Sequence, residues 1–215
     1  NVDIRLGVQV KSIASESGKV TGIILNNGEL FKADKVILAT GGLSYPATGS
    51  TGDGYRMAER LGHTITPLRP SLVPIETKET WVKSVTGLTL KNIEVSVYRQ
   101  SQIVARECGE MLFTHFGVSG PVILTLSRKI IDMFDVPLSM FIDLKPALTA
   151  DKLDERIIKD FNKYINRQFK NTLADLLPKS LIFIIVKLSK INPERTVNQI
   201  TSAERKQLCN LLKAL

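Results

Sequence analysis

From Leu6 to Ile13 and again from Lys19 to Leu25, apolar and polar side chains trade places along the chain, which is the pattern of strands with one face buried. Ser15-Glu16-Ser17-Gly18 joins the two as a turn. Asn26-Asn27-Gly28 then turns the chain into Glu29-Leu30-Phe31-Lys32, and Asn-Gly between alternating flanks is a strong hairpin signal. Val36-Ile37-Leu38-Ala39 differs: it is apolar throughout, as a strand covered on both faces of a parallel sheet must be. The pattern therefore predicts a small antiparallel meander feeding a central parallel strand.

After that strand come Thr40-Gly41-Gly42 and then Ser44 to Gly54, with five glycines in fifteen residues. Glycines let backbone approach a ligand closely and leave N–H groups pointing outward. From Asp53, the positions of Tyr55, Met57-Ala58 and Leu61, with Gly62 beyond, predict a two-turn helix capped at both ends. A glycine-rich loop leading into a helix N-terminus suits a phosphate or another electron-rich group, and the carboxyl end of a buried strand is where open α/β sheets bind ligands. The alternative is a long loop with a structural role only.

Between Leu72 and Leu144 strand patterns predominate: Ser71 to Glu76, Leu88 to Tyr98, Ser101 to Arg106, Glu110 to Thr114 and Leu138 to Leu144. One helix interrupts them. Ser119-Gly120-Pro121 starts it, with Pro early in the helix where its missing N–H is harmless, and Val122, Leu124, Leu126 and Ile130 carry its apolar stripe. Without βαβ alternation, this stretch reads as an antiparallel barrel or sandwich. Residues 151–215 read as helical: one helix carries Leu153, Ile157-Ile158, Phe161 and Tyr164-Ile165, followed by Thr172 to Leu177, Lys179 to Ile191 and Ser202 to Leu215, with Ser202 as an N-cap candidate for the last. Three regions result, 1–70, 71–145 and 146–215.

Composition narrows the class. At 215 residues, 43% apolar and 23% charged, the chain can bury a sizeable core and is neither disordered nor fibrous. Its longest apolar run, Leu181 to Val186, is six residues, against about 20 for a membrane-spanning helix. Cys108 and Cys209 form no C-x-x-C pair, and His63 and His115 have no ligand-spaced partners, so neither a disulfide framework nor a metal site is expected. A reducing cytoplasm is the expected compartment. The opening Asn1-Val2-Asp3-Ile4 and the abrupt end of the last helical pattern suggest a piece of a longer protein.

Charge separates the last region from the rest. The net +8 is divided as 15 Lys and Arg against 14 Asp and Glu up to residue 144, and 14 against 7 from 145 to 215. A basic surface of this kind suits phosphates, including those of nucleic acid, while scattered solvated helix faces are the alternative. Lys159, Lys163, Arg167 and Lys170 recur at spacings that would align them on one helix face, with Ile158, Phe161 and Ile165 turned inward.

The stretch Val36-Ile37-Leu38-Ala39-Thr40-Gly41-Gly42-Leu43-Ser44-Tyr45-Pro46-Ala47-Thr48-Gly49-Ser50-Thr51-Gly52-Asp53-Gly54, together with Phe113-Thr114-His115-Phe116-Gly117-Val118-Ser119-Gly120-Pro121, resembles a bacterial NAD(P)/FAD-dependent oxidoreductase family, the aminoacetone-oxidase-family FAD-binding flavoproteins. The similarity in layout extends over essentially the whole chain. It implies an α/β plus α+β protein: part of a glutathione-reductase-like FAD-binding domain with an inserted antiparallel β domain and a helical subdomain. Such proteins begin with a Gly-x-Gly-x-x-Gly turn that holds the FAD pyrophosphate and end with a segment that closes the flavin site. Neither lies within these residues, so the resemblance implies a central fragment, inactive and free of FAD by itself.

Carried over residue by residue, the strand around Val10 would border the adenine, and Thr40-Gly41-Gly42 would run close to the cofactor. Tyr45, Pro46, Thr48, Gly49, Ser50, Thr51, Gly52, Asp53 and Gly54 would line the flavin side. His115 and Ser119 would face the substrate, with His115 as a general acid or as a purely structural histidine. The implied activity is hydride transfer through FAD, with NAD(P)H as a possible donor, to an unsaturated or carbonyl-type substrate. Some members of the family are thought to reduce a uridine of ribosomal RNA, which the basic region 145–215 would suit. The competing class is an RNA- or protein-binding module. A nicotinamide-only dehydrogenase is weakened by the lack of a Gly-x-Gly-x-x-Gly with an acidic ribose ligand.

Overall fold

The computed structural model describes residues 2–215. They divide into two compact units, one ending at Leu68 and one running Arg69–Leu215.

In the first unit, β1 (Val10–Glu16), β2 (Lys19–Leu25) and β3 (Leu30–Lys32) form an antiparallel meander in the order β1-β2-β3. Ser17 and Gly18 both take positive φ, 49° and 78°, the conformation of a tight hairpin turn. The second turn closes through Gly28 N–H to the Leu25 carbonyl at 2.9 Å. The expected central strand is absent. Val36 to Ala39 pair with no strand among the described residues, and Ile37 is 93% exposed. A parallel strand is held by neighbours on both edges, and the meander, whose last strand precedes it, supplies none. α1 (Asp53–Arg60) follows as expected, although Gly52 caps its start with no side-chain hydrogen bond.

The second unit is built on a five-stranded antiparallel sheet. Its strands are β4 (Ile75–Glu76), β5 (Thr89–Arg99), β6 (Gln102–Phe113), β7 (Gly117–Ser119) and β8 (Leu138–Asp143), in the order β4-β7-β6-β5-β8. The two short strands expected over 101–114 are one twelve-residue strand. Register shifts between Leu90 and Ile93 and between Val97 and Tyr98 interrupt the β5–β6 ladder; bulges of this kind bend a strand and strengthen its twist. Alternate residues Ile93, Val95 and Val97 turn to the core. α2 (Pro121–Ile130) lies on β6 and buries Val122, Ile123, Leu126 and Ile130.

Helices α3 (Ala150–Lys163), α4 (Lys179–Ser189) and α5 (Ser202–Lys213) complete the unit. They do not form a core of their own: one apolar cluster runs from Val82 on the sheet side through Leu153, Phe169 and Ile185 to Leu212. The regions 71–145 and 146–215, distinct in charge, therefore share one interior. At the start of α5 the cap is Thr201 rather than Ser202: the Glu204 N–H donates to Thr201 Oγ1 at 3.3 Å and the Thr201 N–H to Glu204 Oε2 at 2.8 Å, a reciprocal capping box. Thr172 to Leu177 is not a helix. A 3-10 turn over Phe169–Asn171 precedes it, the Thr172 hydroxyl donates to the Phe169 carbonyl at 2.8 Å, and Pro178 ends a segment too short to nucleate a helix on its own.

Candidate functional site

The glycine loop of the first unit is folded onto the start of α1. The Tyr45 carbonyl accepts from Thr48 Oγ1 at 2.9 Å and from Ser50 N–H at 3.2 Å, and Gly52 N–H donates to the Gly42 carbonyl at 3.1 Å. Thr40, Gly42, Gly52 and Gly54 are thereby brought together at one helix end. Gly41 sits at φ 75°, and a β-carbon there would come 2.8 Å from Ser50 Oγ. At Gly54 a β-carbon would collide with the Thr40 hydroxyl. Both positions need glycine, for a left-handed backbone in one case and for close approach in the other.

Among the described residues, the N–H groups of Thr40, Gly41 and Gly42 meet no acceptor. The first-turn amides of α1 have no side-chain cap either. Asp53 stands among these donors, accepting from Thr51 Oγ1 at 2.8 Å and from Arg56. The Thr51 hydroxyl above all, with Arg56 adding to it, holds its carboxyl below the usual carboxylate range against the opposing effect of burial. Arg56 pairs with this carboxylate, so the free donors are the feature of the turn that offers itself to a ligand's acceptor groups. Tyr45 is 73% exposed beside this turn. Val10 lies half-buried on β1, opposite Leu25, away from the loop's hydrogen bonds.

His115 and Ser119 lie in the second unit. Thr114 N–H donates to the Gly117 carbonyl at 2.8 Å and Gly117 N–H to Thr114 Oγ1 at 3.1 Å, so His115 and Phe116 form the two-residue tip of the β6–β7 hairpin. His115 is exposed and stands edge-on to Phe116, ring centroids 4.9 Å apart. Ser119 ends β7, half-buried and opposite Leu112. Among the described residues no side-chain hydrogen bond holds either of them.

Two features escaped the sequence reading. Beside the sheet opens a cavity of about 730 Å³, lined in part by Trp81, Phe113, Phe134, Met140 and Phe141 together with Thr77, whose buried hydroxyl has no partner among the described residues. This volume lies in the usual range for small-molecule sites. The second is Phe183, exposed on α4. No local periodicity marks a cavity assembled from Ile75 to Leu215; Phe183, inside an apolar run, reads as core.

The basic region is organised differently from the expected helix face. α3 ends at Lys163, so Arg167 and Lys170 lie beyond it. Lys163 donates to Asp175 at 2.7 Å, Lys170 to Glu194 at 2.5 Å, and the Arg167 guanidinium lies 4.8 Å from the centre of the Tyr164 ring. Asp175, with help from Tyr164, holds the Lys163 ammonium above its ordinary range. Ile158 and Ile165 are exposed, and of the three inward positions only Phe161 is buried.

An antiparallel meander leading through a glycine loop into one helix, a curled antiparallel sheet and a helical layer define the class. A model of the HI0933-like protein barrel and H2TH domain matches residues 69–215, and one of the HI0933-like protein Rossmann domain matches residues 1–129; the chain belongs to the HI0933-like family. It is 31% identical over 215 residues to a ribosomal RNA dihydrouridine synthase of Escherichia coli, covering 99% of this chain and 50% of that protein. It is 29% identical to a 3-dehydro-bile acid delta(4,6)-reductase of Clostridium scindens, covering 99% of this chain and 52% of that protein. A ribosomal RNA dihydrouridine synthase of Haemophilus influenzae is 31% identical over 88% of this chain and 45% of its own length. The chain thus spans about half the length of the curated relatives it matches. Among the described residues no helix is long and apolar enough to cross a membrane.

Proposed function

We propose that the chain is part of a FAD-dependent reductase that delivers hydride to a carbon–carbon double bond conjugated to a carbonyl, with NAD(P)H as the electron donor. The observation that carries the reading is the turn Thr40-Gly41-Gly42, whose amides meet no acceptor among the described residues. The activities of the relatives support it, because uridine and a 3-oxo-delta(4,6) steroid share this conjugated system. A bound flavin supplies the hydride and accepts electrons from the donor.

This chain's own residues bind and orient. Thr40 to Gly42 and the first turn of α1 would hold the flavin edge, and Tyr45 would cover its exposed side. His115, free of side-chain hydrogen bonds among the described residues, is the proton donor proposed for the substrate. Ser119 positions the substrate. Two free thiols, Cys108 and Cys209, suit a reducing cytoplasm.

The test is the absorption spectrum of the purified full-length parent protein, with flavin bands that bleach under NAD(P)H expected. A colourless protein that takes up no added FAD overturns the reading. In the same parent, Gly41→Val abolishes flavin retention, because the branched side chain meets Ser50 and the backbone resists φ 75°. Flavin content per polypeptide after gel filtration measures it.

A further inference from the structure

α4 carries Lys179, Phe183 and Lys187 at four-residue spacing, a cation, an aromatic ring and a cation about 6 Å apart along one helix face. Phe183 is 70% exposed, while its neighbours Ile184 and Ile185 are buried. Lys190 follows at the helix end in the left-handed conformation. Together with Val186 and Pro193 these residues line an apolar groove of about 770 Å³. On its rim Lys170 is neutralised by Glu194, but Lys179, Lys187 and Lys190 have no carboxylate partner among the described residues. The Asn171 amide at the same groove also makes no side-chain hydrogen bond there.

We propose that this groove docks single-stranded RNA, with one base stacked on Phe183 and the flanking phosphates met by Lys179, Lys187 and Lys190. An aromatic face bracketed by cations is the arrangement that holds unpaired strands, since every base offers a π-face and every linkage a negative charge. An interfacial membrane helix exposes a broad apolar face, and an acidic helical peptide needs a row of apolar anchor sites. Here a single ring stands out. The choice of RNA rests on the reductase reading, with the reducible base carried on the strand. Binding itself needs no flavin, so its failure leaves that reading standing.

The experiment is fluorescence anisotropy of the 215-residue chain with a labelled oligouridine of about ten nucleotides, within the site sizes of such surfaces. Phe183→Ala weakens binding about five- to a hundredfold and Phe183→Trp retains it. Lys179→Glu with Lys187→Glu lowers the slope of log affinity against log salt by about 1.4, the share of two single-strand phosphates. Phe183 is exposed, so an unchanged melting temperature shows that the variants fold. Undiminished oligouridine binding by Phe183→Ala overturns the proposal. So does the absence of binding at low salt, or Phe183-dependent binding of an acidic amphipathic peptide in place of oligouridine, which would make the groove a protein-docking surface.

Discussion

The two units of the chain bury their apolar residues very differently. Up to Leu68, Leu25 and Met57 are the buried apolar side chains among the described residues, while Leu6 is 89% and Ile37 93% exposed. From Arg69 onward one continuous cluster takes in sheet and helices alike. The first unit owes its shape to turns and backbone hydrogen bonds, which cost little sequence to specify. The second owes its shape to a core, and each fully buried Leu, Ile or Phe there contributes about 1.5–3 kcal/mol.

Point substitutions on the two sides should expose that contrast most sharply. Phe113→Ala, at 1% exposure in the sheet core, is expected to destabilise the chain by about 3–5 kcal/mol. Ile37→Ala should stay within about 0.5 kcal/mol. Urea unfolding followed by tryptophan fluorescence reads the first, since Trp81 lies 5.7 Å from Phe113 between ring centroids, and amide hydrogen exchange in β1 to β3 reads the second. Equal effects would mean that the first unit has a core after all.

A smaller effect is expected at the capping box. Thr201→Ala should cost about 1 kcal/mol, and Glu204 adds a pH dependence. Arg195 first, then the Thr201 backbone and hydroxyl, pull the Glu204 carboxyl down to about 2 from an ordinary 4.5. Stability from this depressed carboxyl is therefore complete above about pH 4.5 and lost as pH falls toward 2. Glu204→Gln should be less stable than wild type at neutral pH, and the gap should narrow across that window. A gap that is constant with pH would show that the ionised carboxylate contributes nothing.

The smallest difference is kinetic and leaves stability untouched. Cys108 is exposed and Cys209 buried, and burial, reinforced by Asp154, lifts the Cys209 thiol to about 11. Iodoacetamide should therefore label Cys108 first and reach Cys209 only on unfolding, as peptide mass mapping would record. Comparable rates at the two thiols would contradict the packing of α5 against α3.

Features with a local cause were legible in the sequence. The Asn26-Asn27-Gly28 turn, α1 and the long β5 strand each carry their signal within a few residues. Features with a distant cause were not. Val36 to Ala39 reads as a buried strand because its composition records the burial it requires, not the neighbours that provide it. Thr172 to Leu177 reads as a helix because Leu173, Leu176 and Leu177 are spaced for one, yet they are buried in a turn. At the candidate site, the glycine loop was legible as a composition and its open amides follow from it. The cavity under Trp81 was not, since its walls come from strands and loops separated by more than a hundred residues.

The unpaired Val36-Ile37-Leu38-Ala39 segment also bears on the behaviour of the chain in solution. It is a short, uncharged, aliphatic stretch with open backbone donors and acceptors, the combination that recruits a second strand from another molecule. Asp34 and Lys35 guard one end only; beyond Ala39 the next charged residue is Asp53. Concentrated solutions of these 215 residues are thus set to self-associate through edge-to-edge β pairing, with this segment as the seed, and a single charge at Ile37 is the substitution that keeps the molecules apart.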